Sequence, residues 1–478
     1  MSYSDGRYHI QDEDLIEGWM EIEDHEELKP FAESMVKSIL PKYQQPQSIG
    51  TIKRAINLLQ TTDVDTSRDW LNKEDAAENL FATLHGEKLH RNNHPSNALP
   101  YYKINQDFIF SIAGASNELH RMFLQATDHV IRSDELLTHF NIPNIFWSRL
   151  RQSWAREQNT DVTGRLDLGF DGQNFKIFEY EADCPSTLFE CAIIQRKWAK
   201  AASLPSTFMS GFRLHETLIN KWKKMNIKTM VHILIDDNSD EHLTALYMQN
   251  VLKEAGIESK IVLINNNFSW NNKKIIDRDD MVVSVVWKLW RWDTILDDYL
   301  VASKERGHSN QCLEKICDGW IPVDGAQARL SDILLHEEIQ IIEPMWKIIT
   351  SHKGLLSVVW DMHRNHPLLL ETQWNLTDEL KKSSFVEKPA FGQYSQNIIV
   401  RHGTGETSIE NQVNSSSYGK VIYQKLFDFK NQSDFYAVLG SWIVFGHFAG
   451  FSVREDNKII TDSDSPVIPC CIIWKEED

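Results

Sequence analysis

Hydrophobic and polar positions change period several times along this chain, and each change marks an element. Residues 163–170 and 174–178 flank the turn Asp171-Gly172-Gln173, and the second run alternates up to Phe178, so the pair reads as a β-hairpin. Between 116 and 132, Leu119, Met122, Phe123, Ala126 and Val130 recur at helical spacing. Residues 147–154 continue as an aromatic-rich helix. Its Arg149 and Arg151 are either substrate contacts or structural arginines. Residues 190–201 read as the helix that follows the hairpin, and Ser186 and Thr187 before it could face an anion.

Further on, 229–236 is a buried strand. Ser239 caps a helix with the stripe Leu243, Leu246, Tyr247, Val251 and Leu252, closed by Gly256, and 260–265 is the next strand. This strand–helix–strand unit predicts a parallel α/β layer. Residues 281–290 form another buried strand, ending in the cluster Trp287, Trp290 and Trp292, which reads as core. Residues 307–325 look like a loop-rich insertion, and 343–360 like an amphipathic helix carrying Lys353. The last third is rich in strand signals, at 385–389, at 421–425 and in a hairpin over 441–454 bent at Gly446 and Gly450.

Composition narrows the class. The 478 residues are 42% hydrophobic and 25% charged, ordinary for a globular protein and enough for one large domain or two to three average ones. No apolar run of about 18 residues exists, so no membrane span is expected. The first 30 residues are acidic and polar, unlike a signal peptide. The six cysteines lack zinc-type paired spacing and read as reduced thiols of a cytoplasmic protein. A net charge of −18 argues against nucleic acid as a partner and would attract polycations, although solubility alone also accounts for it.

Candidate chemistry gathers on the hairpin. Glu179 and Glu181 are two apart on one strand and share a face, and Asp167 lies on the partner strand. Three carboxylates on one face repel unless a cation sits among them, and an oxygen-only set favours Mg²⁺ shared with substrate phosphates. Arg165, two residues before Asp167, adds a fixed positive charge, which suits a phosphoryl or carboxylate substrate. A hairpin with a merely solvated polar face fits the same residues. Asp240 and Glu241 open the helix after 229–236, where acids complement the helix dipole or could meet a ligand.

The hairpin resembles the metal and substrate hairpin of the glutathionylspermidine synthase family, more narrowly the synthetase half of its bifunctional synthetase/amidases. The resemblance runs with gaps from Tyr8 to Pro469. It includes the pieces Trp147 to Trp154, Val286-Trp287-Lys288, Arg329-Leu330-Ser331-Asp332, Glu343-Pro344-Met345-Trp346, Glu387-Lys388-Pro389 and Val453-Arg454-Glu455-Asp456. It implies an α/β fold with α+β layers, an ATP-grasp-like ligase with a pre-ATP-grasp α/β layer. Residues 1–60 then read as an acidic tail, the remnant of the amidase end and its linker, and 61–478 as the synthetase domain. The amidase is a Cys/His thiol hydrolase domain, and the first cysteine here is Cys184, so amidase activity is expected to be missing.

The resemblance implies a reaction and roles for these residues. ATP phosphorylates the glycine carboxylate of glutathione, and a primary amine of spermidine attacks the acyl phosphate. Asp167, Glu179 and Glu181 would hold Mg²⁺. Arg165 and Arg454 would stabilise the carboxylate and the tetrahedral intermediate. Lys353 and Lys388 would hold nucleotide phosphates, Gly392 and Asn397 would belong to a lid over them, and Gln424 would line the adenine pocket. Ser186, Thr187, Asp240 and Glu241 would contact substrate, the last two through the ammonium groups of the polyamine.

Four departures qualify this. Gln393 and Ser395 replace a lid arginine and glycine, Glu181 stands where well-known members have Asn, and Pro466 stands where a substrate-contacting aspartate is expected. Glu181 is still an oxygen ligand, so metal binding survives that change. Pro466 and the altered lid keep open a ligase with another amine or acyl substrate. The expected loss of the amidase, with the lost lid arginine, keeps open a catalytically degenerate homologue that binds nucleotide or polyamine. ATP and Mg²⁺ are the expected cofactors, glutathione and a polyamine the expected partners. A homodimer is compatible with the sequence.

Overall fold

The computed structural model describes residues 2–4, 7–9, 49–58, 70–85, 98–157, 160–204, 208–264, 267–305, 323–391, 397–403, 407–410, 420–430, 433–462 and 465–473. The lid positions 392–396 and most of 307–325 therefore lie outside the described residues.

The hairpin forms as its pattern dictates. Strands Thr163–Phe170 and Phe175–Glu181 pair antiparallel around a turn in which Asp171 Oδ1 accepts from Gln173 N (2.8 Å) and Asn174 N (2.7 Å), with Gly172 at φ +100°. A second hairpin, Tyr436–Val444 and His447–Asp456, turns through Phe445 and Gly446, both at positive φ, as a two-residue hairpin turn requires. The two hairpins join through Thr163–Phe170 and Tyr436–Val444, and Val467–Ile468 completes a five-stranded inner sheet.

Alternation then sorts the side chains to two faces. On one face, Phe108 of the helix Gln106–Arg132 meets the rings of Phe170, Phe175 and Phe451, and Phe123 meets Tyr180. His120 Nδ1 lies 2.8 Å from Tyr180 Oη on that face, and burial pushes the imidazole down to about 4, so it stays neutral. The helix starts ten residues before the expected 116, because Asn105 caps it: its Oδ1 accepts from Phe108 N (3.2 Å) and from Thr51 N (2.8 Å). The stripe Leu119, Met122, Phe123, Ala126 and Val130 is buried as expected.

The expected parallel layer is present. Val231–Ile235, Ser259–Leu263, Val285–Lys288 and Gln340–Ile342 form a four-stranded parallel sheet, and the helix Ser239–Glu254 makes the first crossover. Its cap is Asn238 and not Ser239: Asn238 Oδ1 accepts from Asp240 N and Glu241 N. Of the tryptophan cluster read as core, Trp287 and Trp292 are buried and Trp290 is partly buried against the core.

A second antiparallel sheet, ordered Thr372–Gln373, Val421–Lys425, Phe385–Pro389, Ile398–Arg401 and Thr407–Glu410, forms the outer sheet. The 343–360 stretch is not one helix. It breaks into Lys347–Thr350 and Leu355–Met362, with Lys353 in the turn between them, where its N–H donates to Ala390 O (3.1 Å) at the end of the strand Phe385–Pro389. The strand Ile52–Leu58 lies inside the stretch read as a tail, yet it pairs with Ala98–Ile104 in a three-stranded sheet. Arg54 on it donates twice to Glu455, at 2.8 Å each, so the folded body reaches back past residue 60.

One buried ion pair fixes where the first hairpin begins. Glu343, 1% exposed, accepts from Val162 N (3.1 Å) and Thr163 N (3.0 Å), and it pairs with Lys347, which also donates to Thr163 O (2.6 Å). Removing one partner of a buried pair strands the other charge. We expect Glu343→Ala to lose about 3–5 kcal/mol of stability, read as a lower urea midpoint. A loss under about 1 kcal/mol would show that the pair does not anchor the hairpin.

Candidate active site

The face of the inner sheet opposite the long helix carries the chemistry. Strand register sets Glu181 opposite Arg165, Glu179 opposite Asp167, Gly440 on the other side of Asp167, and Ser452 beyond Gly440. A bulge makes this possible. The register slips between Asp167 and Leu168, so Phe178 is an extra residue, and Glu179 and Glu181 land on the face of Asp167. The alternation that stops at Phe178 in the sequence is this bulge.

Asp167, Glu179 and Glu181 each bring a carboxylate oxygen within 4.8 Å of the others. Arg165, 1% exposed, is fully engaged with the protein. Nε and Nη2 donate to the two oxygens of Asp167 (2.6 and 3.0 Å), Nη2 also pairs with Glu181 Oε2 (2.7 Å), and Nη1 donates to Ser186 O (2.6 Å) and Oγ (3.4 Å). These contacts use all five N–H groups of a guanidinium. Arg454 Nη2 reaches Asp167 Oδ2 (3.2 Å), and Lys353 Nζ reaches Glu179 Oε2 (3.0 Å).

Burial alone would raise Glu179, but Lys353 and Lys388 outweigh it and hold the carboxyl down at about 2. Glu181 goes the other way. Burial raises it, Asp167 and Glu179 add to the rise, and Arg165 offsets only part. An oxygen-only set of three carboxylates, one of them short of compensating charge, fits a hard divalent cation.

An open cleft lies beside these acids, between the inner and outer sheets. Asp167, Glu179, Arg454 and Lys388 line one part of it, and Phe178, Leu370, Val386, Leu426, Phe429 and Ile460 line the rest. Lys388 Nζ donates to Phe178 O (3.0 Å) and to Gln424 Oε1 (2.7 Å). Burial pushes Lys388 down to about 8, with Glu179 opposing. Gln424, itself buried, is held from behind by Thr372 Oγ1 (3.3 Å). A slot with an apolar body and a cationic, acid-lined end suits a nucleotide.

Residues 68–316 and 320–473 match the family model described as glutathionylspermidine synthase preATP-grasp. The chain belongs to the glutathionylspermidine synthase family. It is 34% identical over 411 residues to a trypanothione synthetase of Crithidia fasciculata, covering 84% of this chain and 61% of that protein. It is 28% identical over 475 residues to the bifunctional glutathionylspermidine synthetase/amidase of Escherichia coli, covering 97% of this chain and 71% of that protein. A glutathionylspermidine synthase of Crithidia fasciculata is 27% identical over 438 residues, covering 78% of this chain and 58% of that protein. The chain thus spans three-fifths to seven-tenths of these relatives' lengths.

Most residues expected from the glutathionylspermidine synthase resemblance converge here. Asp167, Glu179, Glu181, Arg165, Arg454, Lys353, Lys388 and Gln424 share one cavity edge or touch a residue that does. Asn397 sits at positive φ where the outer sheet resumes, and Gly392 lies outside the described residues. Ser186 meets Arg165, and Thr187 is at φ +69° in the same loop.

The two helix acids separate. Asp240 is exposed, whereas Glu241 turns inward, its Oε2 3.3 Å from Asp236 N. Arg151, read as either a substrate contact or a structural arginine, is engaged within the fold: it donates to Ile131 O (3.0 Å) and pairs with Asp134 on the surface.

One buried ion pair near the site escaped sequence reasoning. Asp183, just past the hairpin, accepts from Lys288 Nζ (2.5 Å) and Trp292 N (2.9 Å), tying the Ser186 loop to the end of the strand Val285–Lys288. The available signal was a lysine inside the apolar run 285–289.

Burial and Asp236 push Glu241 up to about 8, with Lys288 offsetting part of the rise. The unfolded value is about 4.3, so the folded state holds a proton that the unfolded chain releases between these values. This contribution to stability is complete below about pH 4.3 and is lost as pH rises through 8. Glu241→Gln should therefore melt higher than the parent at pH 8 and nearly with it at pH 5. Equal melting at both pH values would contradict the inward, desolvated placement.

Proposed function

We propose that this chain is an ATP-dependent carboxylate–amine ligase that joins the glycine carboxylate of glutathione to a primary amine of spermidine. The observation that carries this reading is the carboxylate trio beside Arg454, Lys353 and Lys388 at the edge of the cleft between the two sheets, in a member of this family. Asp167, Glu179 and Glu181 would hold Mg²⁺, which when bound neutralises charge on the β- and γ-phosphates.

The protein's own groups orient the reactants. Lys353 and Lys388 meet the phosphates from the outer-sheet side as point charges. Gln424 holds Lys388 in place beside the adenine slot. Gly392 and Asn397 would frame the lid. Ser186 and Thr187 present hydroxyls near the acids, and the Thr187 hydroxyl, buried and without a partner among the described residues, suits a polar group of glutathione. The γ-phosphoryl group passes to the glutathione carboxylate, and ADP leaves. The amine nitrogen then attacks the acyl carbon, phosphate departs, and the amine loses a proton. Arg454 faces the charge that develops on these oxygens. Arg165, saturated by Asp167, Glu181 and Ser186, acts through them as a positioning residue. Glu241, with Asp240 outside it, would give up its proton on receiving a spectator ammonium group of the polyamine.

The test is ADP release with glutathione and a panel of amines. We expect release that requires both substrates and is fastest with a polyamine. Release independent of the amine, or none with any polyamine, would contradict the assignment. Glu179→Ala should cut turnover on the order of 10²-fold or more while the chain still folds, because it removes a ligand and not a core residue. Normal turnover in this variant would make the hairpin merely structural.

A further inference from the structure

Gly440 lies in the middle of the acid-bearing face, between Asp167 and Ser452 in the strand register. A Cβ built on it would stand 2.9 Å from Arg165 Cδ, 3.4 Å from Arg165 Nε and 3.3 Å from Ser452 Oγ. The space a side chain would take is the space the Arg165 stem occupies.

Arg165 starts opposite Trp442, the same-face neighbour of Gly440. To reach both oxygens of Asp167, two residues along its own strand, it must fold down across the sheet. It does so over Gly440, with its guanidinium carbon 6.0 Å from the Trp442 ring. The stem cannot swing aside cheaply. The guanidinium is 1% exposed with its residue and tied by contacts to Asp167, Glu181 and Ser186. A methyl group at 440 would have to lift Arg165 off Asp167 or push the two strands apart.

We infer that Gly440 is a positioning residue for the acid cluster: its missing side chain is the seat that holds Arg165 across Asp167 and Glu181. The consequence for catalysis rests on the ligase reading, and the seat itself rests on the geometry alone. With Arg165 displaced, Asp167 loses the two N–H groups that fix its carboxylate plane, and Glu181 loses its only ion-pair partner among the described residues. Groups that orient ligands from behind typically change metal affinity 10- to 100-fold when lost.

A double-mutant cycle on the full chain tests this, with Mn²⁺ affinity by electron paramagnetic resonance and melting temperature as readouts. Gly440→Ala should weaken Mn²⁺ binding about tenfold and lower the melting temperature. In an Arg165→Ala background, where the seat is empty, the same substitution should change neither. Equal effects in both backgrounds, or no effect in the native one, would overturn the inference, as would a Gly440→Ala chain that fails to fold in both. If the parent binds no Mn²⁺, the metal reading fails and the melting cycle alone decides on Gly440. Independently of Arg165→Ala, the Nε–H nuclear magnetic resonance signal of Arg165 should be protected from exchange in the parent and lose protection in Gly440→Ala. Retained protection would overturn the seat.

Discussion

Three carboxylates held on one sheet face are the constraint that the rest of this structure answers. Like charges 4–5 Å apart repel by roughly 3–4 kcal/mol per pair at an effective dielectric of about 20. Asp167, Glu179 and Glu181 make three such pairs. Each has a cation against it: Arg165 and Arg454 at Asp167, Lys353 at Glu179, and Arg165 again at Glu181. The balance is uneven, since Glu179 is held low and Glu181 stays high. A divalent cation would even it out, and the arrangement is therefore stable enough to fold and still receptive to a metal.

The cations come from elements far apart in sequence, so the site depends on how the layers are tied together. Lys353 stands in the turn that breaks 343–360, pinned by its N–H to Ala390 at the end of an outer-sheet strand. Arg454 precedes Glu455, which Arg54 and Tyr102 hold from the three-stranded sheet. Glu343 with Lys347 fixes the start of the first hairpin, and Asp183 with Lys288 fixes the loop after its end. Breaking either buried pair would shift the acids without touching them, which links core stability directly to the chemistry.

The hairpin, the acid trio, the parallel layer and the strand carrying Lys388 were legible because their signals are local: period-two alternation, a turn with Gly172, and carboxylates two apart. The missed features are those decided at long range. The long helix starts early because Asn105 also accepts from Thr51, which no helical periodicity reveals. The 343–360 pattern reads as continuous because its apolar positions serve two short helices on either side of Lys353. The folded strand Ile52–Leu58 was grouped with the acidic stretch before it, since its partners lie far off at 98–104 and its Arg54 pairs with Glu455. Arg165 illustrates the same limit at the site. Its nearness to Asp167 was visible, but its saturation by Glu181 and Ser186 depends on the bulge at Phe178 and the loop that follows.

The central claim is that this acid trio, and no other group, seats a metal beside a nucleotide held between the two antiparallel sheets. A crystal structure with Mn²⁺ and a non-hydrolysable ATP analogue, using anomalous scattering to place the metal, tests it most directly. The account predicts an anomalous peak at coordinating distance from Asp167, Glu179 and Glu181, with the analogue's base in the cavity lined by Phe178, Val386 and Leu426. A peak bound by other residues, or an analogue lying outside that cavity, would contradict it.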